Sequence, residues 1–270
     1  MSWRERFPQL AGSRALVTGG AGFIGSHLAH ALAQCNCEVT VLDDLSGGYR
    51  ANLPEGVTLI ESSVTDADAL ERAVAGQQFV FHQAAMVSVP ESVAKPAECI
   101  ERNVLATQTL CDLAASHGVR RILLAASAAA YGGEPRLPSS ESHAPDCWSP
   151  YAASKLAGEA ILRSTALNTP VDTVGLRYFN IFGPRQDPDS AYAAVIAAFA
   201  RKLLAGETPT VHGDGTQSRD FTYIDNVVLA NLLAATHADP LAGVSINIGT
   251  GRSTTLIDLL ESMALALGID

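Results

Sequence analysis

The sequence predicts an α/β fold built on a doubly wound parallel sheet, with a smaller C-terminal lobe packed against it. Three observations lead there. Short β-branched runs alternate with longer alanine-rich segments as far as Arg177. The first run passes directly into a glycine cluster that opens a helix, VTGGAGFIGSHLAH at residues 17–30. Beyond Arg177 the rhythm loosens into turn-rich stretches, NIFGPRQDPDS and AGETPTVHGDGTQSRDF.

In chain order, strands are expected at 15–18, 38–42, 57–60, 79–82, 121–125 and 171–177. Helices are expected near 23–34, 66–75, 97–117 and 150–167. Such alternation implies right-handed crossovers and a parallel sheet covered on both faces. An apolar helix at 191–204, a second at about 224–237 and a strand at 244–248 follow. The change in rhythm marks the later segments as the smaller lobe, and clefts between lobes are where ligands sit.

Bulk properties narrow the function. At 270 residues and 47% hydrophobic content, the chain can bury a sizeable core. It has no run of about 18 apolar residues, and its first residues lack the apolar core of a signal peptide, so a cytoplasmic protein is expected. A net charge of −10 opposes binding to nucleic acid. The 5 cysteines, at 35, 37, 99, 111 and 147, fit neither a zinc site nor a disulfide framework and are read as free thiols. His27 and His30 share a helix face and are read as structural. No metal is expected.

Glycine costs about 1 kcal/mol relative to alanine inside a helix, so four of them at a helix start need a reason. A strand turning abruptly into a helix presents unpaired N–H groups and the positive end of the helix dipole. Glycines there let the backbone turn tightly and approach a pyrophosphate closely. Gly19, Gly22 and Gly25 supply the spacing. Asp43 and Asp44 follow about 20 residues on, at the end of the second strand. A carboxylate there accepts from ribose hydroxyls and repels a 2′-phosphate, which favours NAD over NADP. The first domain is therefore a Rossmann unit over 1–179, with 217–250 returning to it; 180–216 and 251–270 make the substrate lobe.

A second constellation lies in PYAASKLAGE. Tyr151 and Lys155 are four apart and share a helix face. An ammonium beside a phenol favours the phenolate and creates a general base suited to an alcohol. The chain has only three lysines, at 95, 155 and 202, which makes the pairing more telling. Ser127, just past the fifth strand, sits at the carboxyl edge of a parallel sheet, where it can share a proton with Tyr151 and a substrate alcohol.

These stretches, with VLDDLSGG, VFHQAA, ERNVLATQTLCDLA, LRYFNIFGPRQDP and GDGTQSRDFTYIDN in order, resemble the extended short-chain dehydrogenase/reductase family. Within it the chain is most similar to NAD-dependent nucleotide-sugar 4-epimerases, of the UDP-N-acetylglucosamine and UDP-glucose type. The resemblance implies that Tyr151 is the general base, Lys155 its tuner and ribose ligand, and Ser127 the hydroxyl that orients the sugar O4. It implies that Gly19, Gly22, Phe23, Ile24, Gly25, Asp43, Asp44, Ser63, Val64, Gln83, Ala84, Ala85, Asn103 and Tyr178 hold NAD. Asn180, Ala194, Val195 and Arg219 would grip the nucleotide diphosphate. Val87, Ser88 and Gln186 would set sugar choice.

The chain also departs from the family. Ala129 replaces a frequent second hydroxyl, and Ser63 stands where an acidic adenine contact is common. Relatives continue several dozen residues past Asp270, so the sugar lobe is expected to be incomplete. The family's 4,6-dehydratases place an Asp-Glu pair, and its decarboxylases a glutamate, where this chain has Ala128 and Ala129. UDP-glucuronate 4-epimerases remain the nearer alternative: they tend to carry threonine at the place of Asn180, while Arg185 suits a carboxylate. A non-catalytic NAD-binding homologue is the alternative of another class. The family pairs through the helices expected here at 97–117 and 150–167, which implies a homodimer.

Overall fold

The computed structural model describes residues 1–133, 136–187, 195–211 and 213–269. A short helix, α1 (Trp3–Arg6), precedes β1 (Arg14–Thr18), α2 (Phe23–Gln34), β2 (Glu38–Asp43), β3 (Thr58–Glu61), α3 (Ala67–Val74) and β4 (Phe79–His82). Then come α4 (Val89–Ala94), α5 (Pro96–Ile100), α6 (Ala106–Ser116), β5 (Arg121–Ser127), α7 (Pro150–Asn168) and β6 (Asp172–Tyr178). After the two-residue β7 (Ile181–Phe182) the chain forms α8 (Val195–Leu204), β8 (Ser218–Arg219) and β9 (Thr222–Tyr223). It ends with α9 (Ile224–Thr236), β10 (Val244–Ile248), β11 (Thr254–Thr255) and α10 (Leu256–Leu267).

Seven strands pair in the order β10-β6-β5-β4-β1-β2-β3, and each neighbouring pair is parallel. The chain winds outward from β1 in one direction and, from β4, in the other. The crevice at the carboxyl ends of β1 and β4 is thus the point where such sheets receive ligands. Strand side chains alternate between two apolar layers. Val17, Phe81 and Leu123 meet Leu28 and Leu32 of α2 and Val228 and Leu232 of α9. Leu16, Val80 and Ile122 meet Leu70 of α3, Leu110 of α6 and Leu162 of α7. A third, small cluster joins Phe199 of α8 to Leu256 and Leu259 of α10.

The expected strands and helices stand where the pattern put them, to within a residue or two; of the helix expected over 191–204, positions 191–194 lie outside the described residues and α8 covers the rest. One was not continuous. The helix expected over 97–117 is α5 and α6 joined by a π-turn, Glu101–Leu105. Its one extra residue brings Asn103 inward, where its amide binds Met86 and Ser154. Three helices, α1, α4 and α10, were not anticipated, though each opens on a hydroxyl cap: Ser2 accepts from Glu5 N–H at 3.4 Å, Ser88 from Glu91 N–H at 2.9 Å and Thr255 from Asp258 N–H at 3.1 Å. Among the described residues no helix is long and apolar enough to cross a membrane.

Behind the carboxyl edge of β5 lies a buried ion pair. Arg177 of β6 donates to both oxygens of Glu159 of α7, at 2.8 and 2.7 Å. Its remaining nitrogen donates to the Tyr131 hydroxyl at 2.8 Å, and Ser245 of β10 donates to Glu159 at 2.8 Å. The Glu159 carboxylate holds the guanidinium well above its ordinary pKa. Removing one partner strands a buried charge, so Glu159→Leu is expected to cost about 3–5 kcal/mol. Adding Arg177→Met should recover most of that loss; guanidinium titration of the three variants measures it.

Candidate active site

Ser127, Tyr151 and Lys155 come together at the carboxyl edge of β5. Ser127 is the last residue of that strand; its oxygen accepts the Ala129 N–H at 3.1 Å, and its hydroxyl favours ionisation of the Tyr151 phenol. Tyr151 is at the start of α7, which is fixed by a Ser149 cap on Ala152 N–H at 3.1 Å and by Pro150 at the first helical position. The Tyr151 N–H is taken by Ser92 Oγ of α4 at 3.1 Å. Lys155 follows one turn later. Its Nζ donates to the Ala125 carbonyl at 2.8 Å and lies 5.8 Å from the centre of the Tyr151 ring.

Electrostatics departs from the expectation here. Burial pushes the Tyr151 phenol up; the Ser127 hydroxyl opposes that, and Cys99 adds to it. Burial pulls Lys155 down to about 8, with Cys99 opposing. Both groups share a dry pocket that penalises either charge, and the lysine proton is aimed at Ala125.

The glycine turn lies beside them, at the end of β1. Gly19 has φ +66°, and a Cβ there would lie 2.7 Å from the Ala84 nitrogen. At Gly25 a Cβ would meet the Gly19 oxygen at 2.1 Å, so α2 can rest on the turn only as glycine. Gly22 differs: its nearest neighbour would be at 3.4 Å, an ordinary contact. Packing alone does not demand a glycine there. Gly22 is also the N-cap of α2, which has no side-chain cap. The first N–H groups of the helix, beginning at the half-buried Phe23 and Ile24, are left for an anion. Buried Asp43 braces this turn, accepting from Ala21 N–H and Leu45 N–H, both at 2.8 Å. Burial raises its pKa and these bonds oppose the rise. Asp44 is exposed and accepts the Ser46 N–H at 2.9 Å.

The remaining expected residues fall into distinct settings. Ser63 pairs with the Thr65 hydroxyl at 2.9 Å, and Val64 belongs to the core. Ala84 N–H donates to Thr18 Oγ1 at 3.2 Å, with Ala85 next along the loop. Gln83 accepts from the Tyr178 hydroxyl at 3.3 Å, and Tyr178 in turn accepts from Asn231 at 2.9 Å. The Asn103 amide accepts from Met86 N–H and donates to Met86 O, tying the 83–88 loop to the π-turn. Ser88 is buried as the cap of α4, while Val87 is 66% exposed at the loop tip. Asn180 donates to Asp220 O at 2.9 Å and Gln186 to Ile181 O at 3.1 Å. Val195 begins α8 and Arg219 is exposed in β8. Ala194 lies outside the described residues.

Sequence reasoning missed two supports. Asp220, inside the quoted GDGTQSRDFTYIDN, receives the N–H groups of Thr250 and Gly251 at 2.9 and 2.7 Å and so joins β9 to the turn after β10. His82 is buried between Thr18, at 2.7 Å from Nδ1, and Thr107, at 3.0 Å from Nε2. Thr107 donates onward to Asn103 O, so His82 Nε2 carries the proton and Thr18 donates to Nδ1. Burial lowers its pKa to about 3. A histidine inside an otherwise apolar strand, FVFH, was the available signal.

Lys155 gives a prediction. Its folded pKa of about 8 is below the ordinary 10.5. Between those values the unfolded chain binds more protons, so stability rises with pH from 8 to 10.5, and below 8 the whole penalty is present. Lys155→Met is expected to raise stability at pH 7 by about 1–3 kcal/mol. Denaturant midpoints at pH 7 and pH 10 should also converge in the variant.

Residues 15–249 match the NAD dependent epimerase/dehydratase family. Over 262 residues the chain is 37% identical to the UDP-glucose 4-epimerase of Mycolicibacterium smegmatis, covering 94% of this chain and 83% of that one. It is 36% identical over 260 residues to a UDP-N-acetyl-alpha-D-glucosaminuronate decarboxylase of Bacillus cytotoxicus, covering 93% and 79%. Among solved structures it superposes on the UDP-N-acetylglucosamine 4-epimerase of Methanobrevibacter ruminantium M1, in complex with UDP-N-acetylmuramic acid. The TM-score is 0.91 at 40% identity, over 96% of this chain and 84% of that one. With its seven-stranded parallel sheet and its uncapped glycine turn, the chain belongs to the NAD-dependent epimerase/dehydratase family.

Proposed function

We propose that this protein inverts C4 of a UDP-hexose, UDP-N-acetylglucosamine or UDP-glucose and their galacto epimers, with NAD held throughout. The observation that carries this reading is the Ser127–Tyr151–Lys155 cluster beside a helix start that lacks a side-chain cap. NAD, when bound, would supply a hydride acceptor and donor for C4. Gly19, Gly22 and Gly25 would hold its pyrophosphate on the α2 N–H groups, and Asp43 its ribose. Tyr151 would take the O4 proton, with Ser127 orienting that oxygen. Lys155 would stabilise the phenolate as it forms. The third apolar cluster, of α8 and α10, supports placing the sugar-nucleotide lobe at 180–216 and 251–270. There Arg219 would meet the diphosphate as a forked cation.

The four-residue turn after Ser127, Ala128–Tyr131, weighs against two other chemistries. Ala128 and Ala129 carry no carboxylate, so this loop offers no acid or base to remove water from the sugar or to assist loss of CO2. The exposed Arg185 keeps a uronate substrate as the second reading. Exposed Ile100 and Leu105, on and beside α5, support pairing of two copies through that region.

Incubation with UDP-galactose, UDP-N-acetylgalactosamine and UDP-galacturonate, followed by separation of products, tests the reading. Conversion of one of the first two is the expected outcome; conversion of only the uronate selects the alternative, and no conversion rejects both. Tyr151→Phe should lower kcat by about 10²–10⁴-fold while leaving NAD affinity within twofold (about 0.4 kcal/mol). Gly22→Ala fits the fold and should change stability by less than about 1 kcal/mol. Its Cβ enters the pyrophosphate site, so NAD affinity should drop at least about tenfold, readable by calorimetry.

A further inference from the structure

His27 lies on α2, one turn beyond Gly22. Its Nε2 is 2.9 Å from the Pro184 carbonyl. A carbonyl only accepts, so Nε2 carries the proton and donates it. The ring is held edge-on to Phe23, at 5.8 Å and 86°. His30, Arg185 and Asp225 are the charged or titratable groups around it. Burial lowers the His27 pKa, a trend that the Pro184 hydrogen bond opposes and Arg185 adds to. The ring is therefore a neutral donor near pH 7.

The segment that receives this bond is unusual. Gly183 has φ +154° and no room for a Cβ, which would lie 2.5 Å from Ile224 Cγ2. Arg185 is left-handed at φ +65° without being glycine, a conformation that must be held from outside. Gln186 closes the turn through its N–H to Gly183 O, at 3.3 Å, and its side chain to Ile181 O. A second tie reaches the same segment from the loop after β2, where the Tyr49 hydroxyl is 3.4 Å from Asp187. That loop lies over the glycine turn: Tyr49 N–H donates to Ala21 O at 3.1 Å, and so does Asn52 at 2.9 Å. The segment is thus docked on the dinucleotide turn from two sides.

We propose that His27 is a positioning residue that couples occupancy of the dinucleotide turn to the shape of the 183–187 segment, and through it to uridine diphosphate binding. This rests on the UDP-sugar reading above. A ligand that settles α2 and its first turn fixes the His27 donor, and the donor fixes the Pro184–Arg185 peptide. Gln186 is then set in place for the nucleotide. By reciprocity, UDP should tighten NAD binding by the same factor.

The test is calorimetry of UDP binding to the full chain, with and without saturating NAD, for wild type, His27→Ala and His27→Gln. Wild type should bind UDP about tenfold more tightly with NAD present. His27→Ala should lose that enhancement while its own NAD affinity stays within twofold of wild type (about 0.4 kcal/mol). His27→Gln, which keeps an N–H at similar reach, should restore it. An enhancement that persists in His27→Ala, one absent from wild type, or a fall in NAD affinity equal to the loss for UDP, overturns the proposal and leaves the epimerase reading standing. Failure of wild type to bind UDP at all overturns that reading, and the coupling with it.

Discussion

Four elements meet at the Glu159–Arg177 pair. Glu159 is on the same helix as Tyr151 and Lys155, two turns and one turn further along. Arg177 is in β6, immediately before Tyr178. The pair holds Tyr131, which donates to Asn247 at 2.7 Å and closes the turn that begins at Ser127. Ser245 adds the edge strand β10. One bidentate contact therefore fixes the helix bearing the phenol relative to the strand end bearing the hydroxyl. Desolvating two charges is costly, and in many proteins such a pair adds little net stability. Here its value lies in geometry: it sets the position of one oxygen relative to the other.

The carboxyl edge is built differently on its two sides. Toward β5 and β6 it is dry and charged groups are penalised, as the raised Tyr151 and the lowered Lys155 show. Toward β1 and β2 it is a backbone surface: the glycine turn, the uncapped α2 and the Asp43 carboxylate with two N–H partners. A site for an anionic dinucleotide with a reactive ring at one end calls for this division. The polar end wants hydrogen-bond donors that need no reorganisation, and the reactive end wants low dielectric, where a proton donor and acceptor act most strongly.

Most of the fold was legible because both its periodicities are strong. The strands read as near-continuous apolar runs since both faces are covered, and VLDD or FVFH could hardly be placed elsewhere. The glycine turn was legible because packing and ligand approach both ask for the same residue type, although Gly19, Gly20 and Gly25, unlike Gly22, are dictated by the protein itself. What escaped was set by tertiary contact. The break at 101–105 keeps helical composition throughout, and only the inward position of Asn103 reveals it. The burial that raises Tyr151 and lowers Lys155 was not legible, because spacing along a helix gives proximity but not dielectric. Asp220 was visible as a residue but not as a brace, since its partners lie 30 and 31 positions away.

The π-turn has a further meaning for how this chain tolerates change in length. An α-helix advances about 100° per residue, so a wide turn that holds one surplus residue keeps α5 and α6 each in phase with its own neighbours. Delete a single position there and the rod becomes uniform, but everything on its amino-terminal side must swing by that angle. Cys99, now packed toward Ser154, would rotate off α7. Length and sequence are therefore not interchangeable in this stretch: it should accept many substitutions, and no gap.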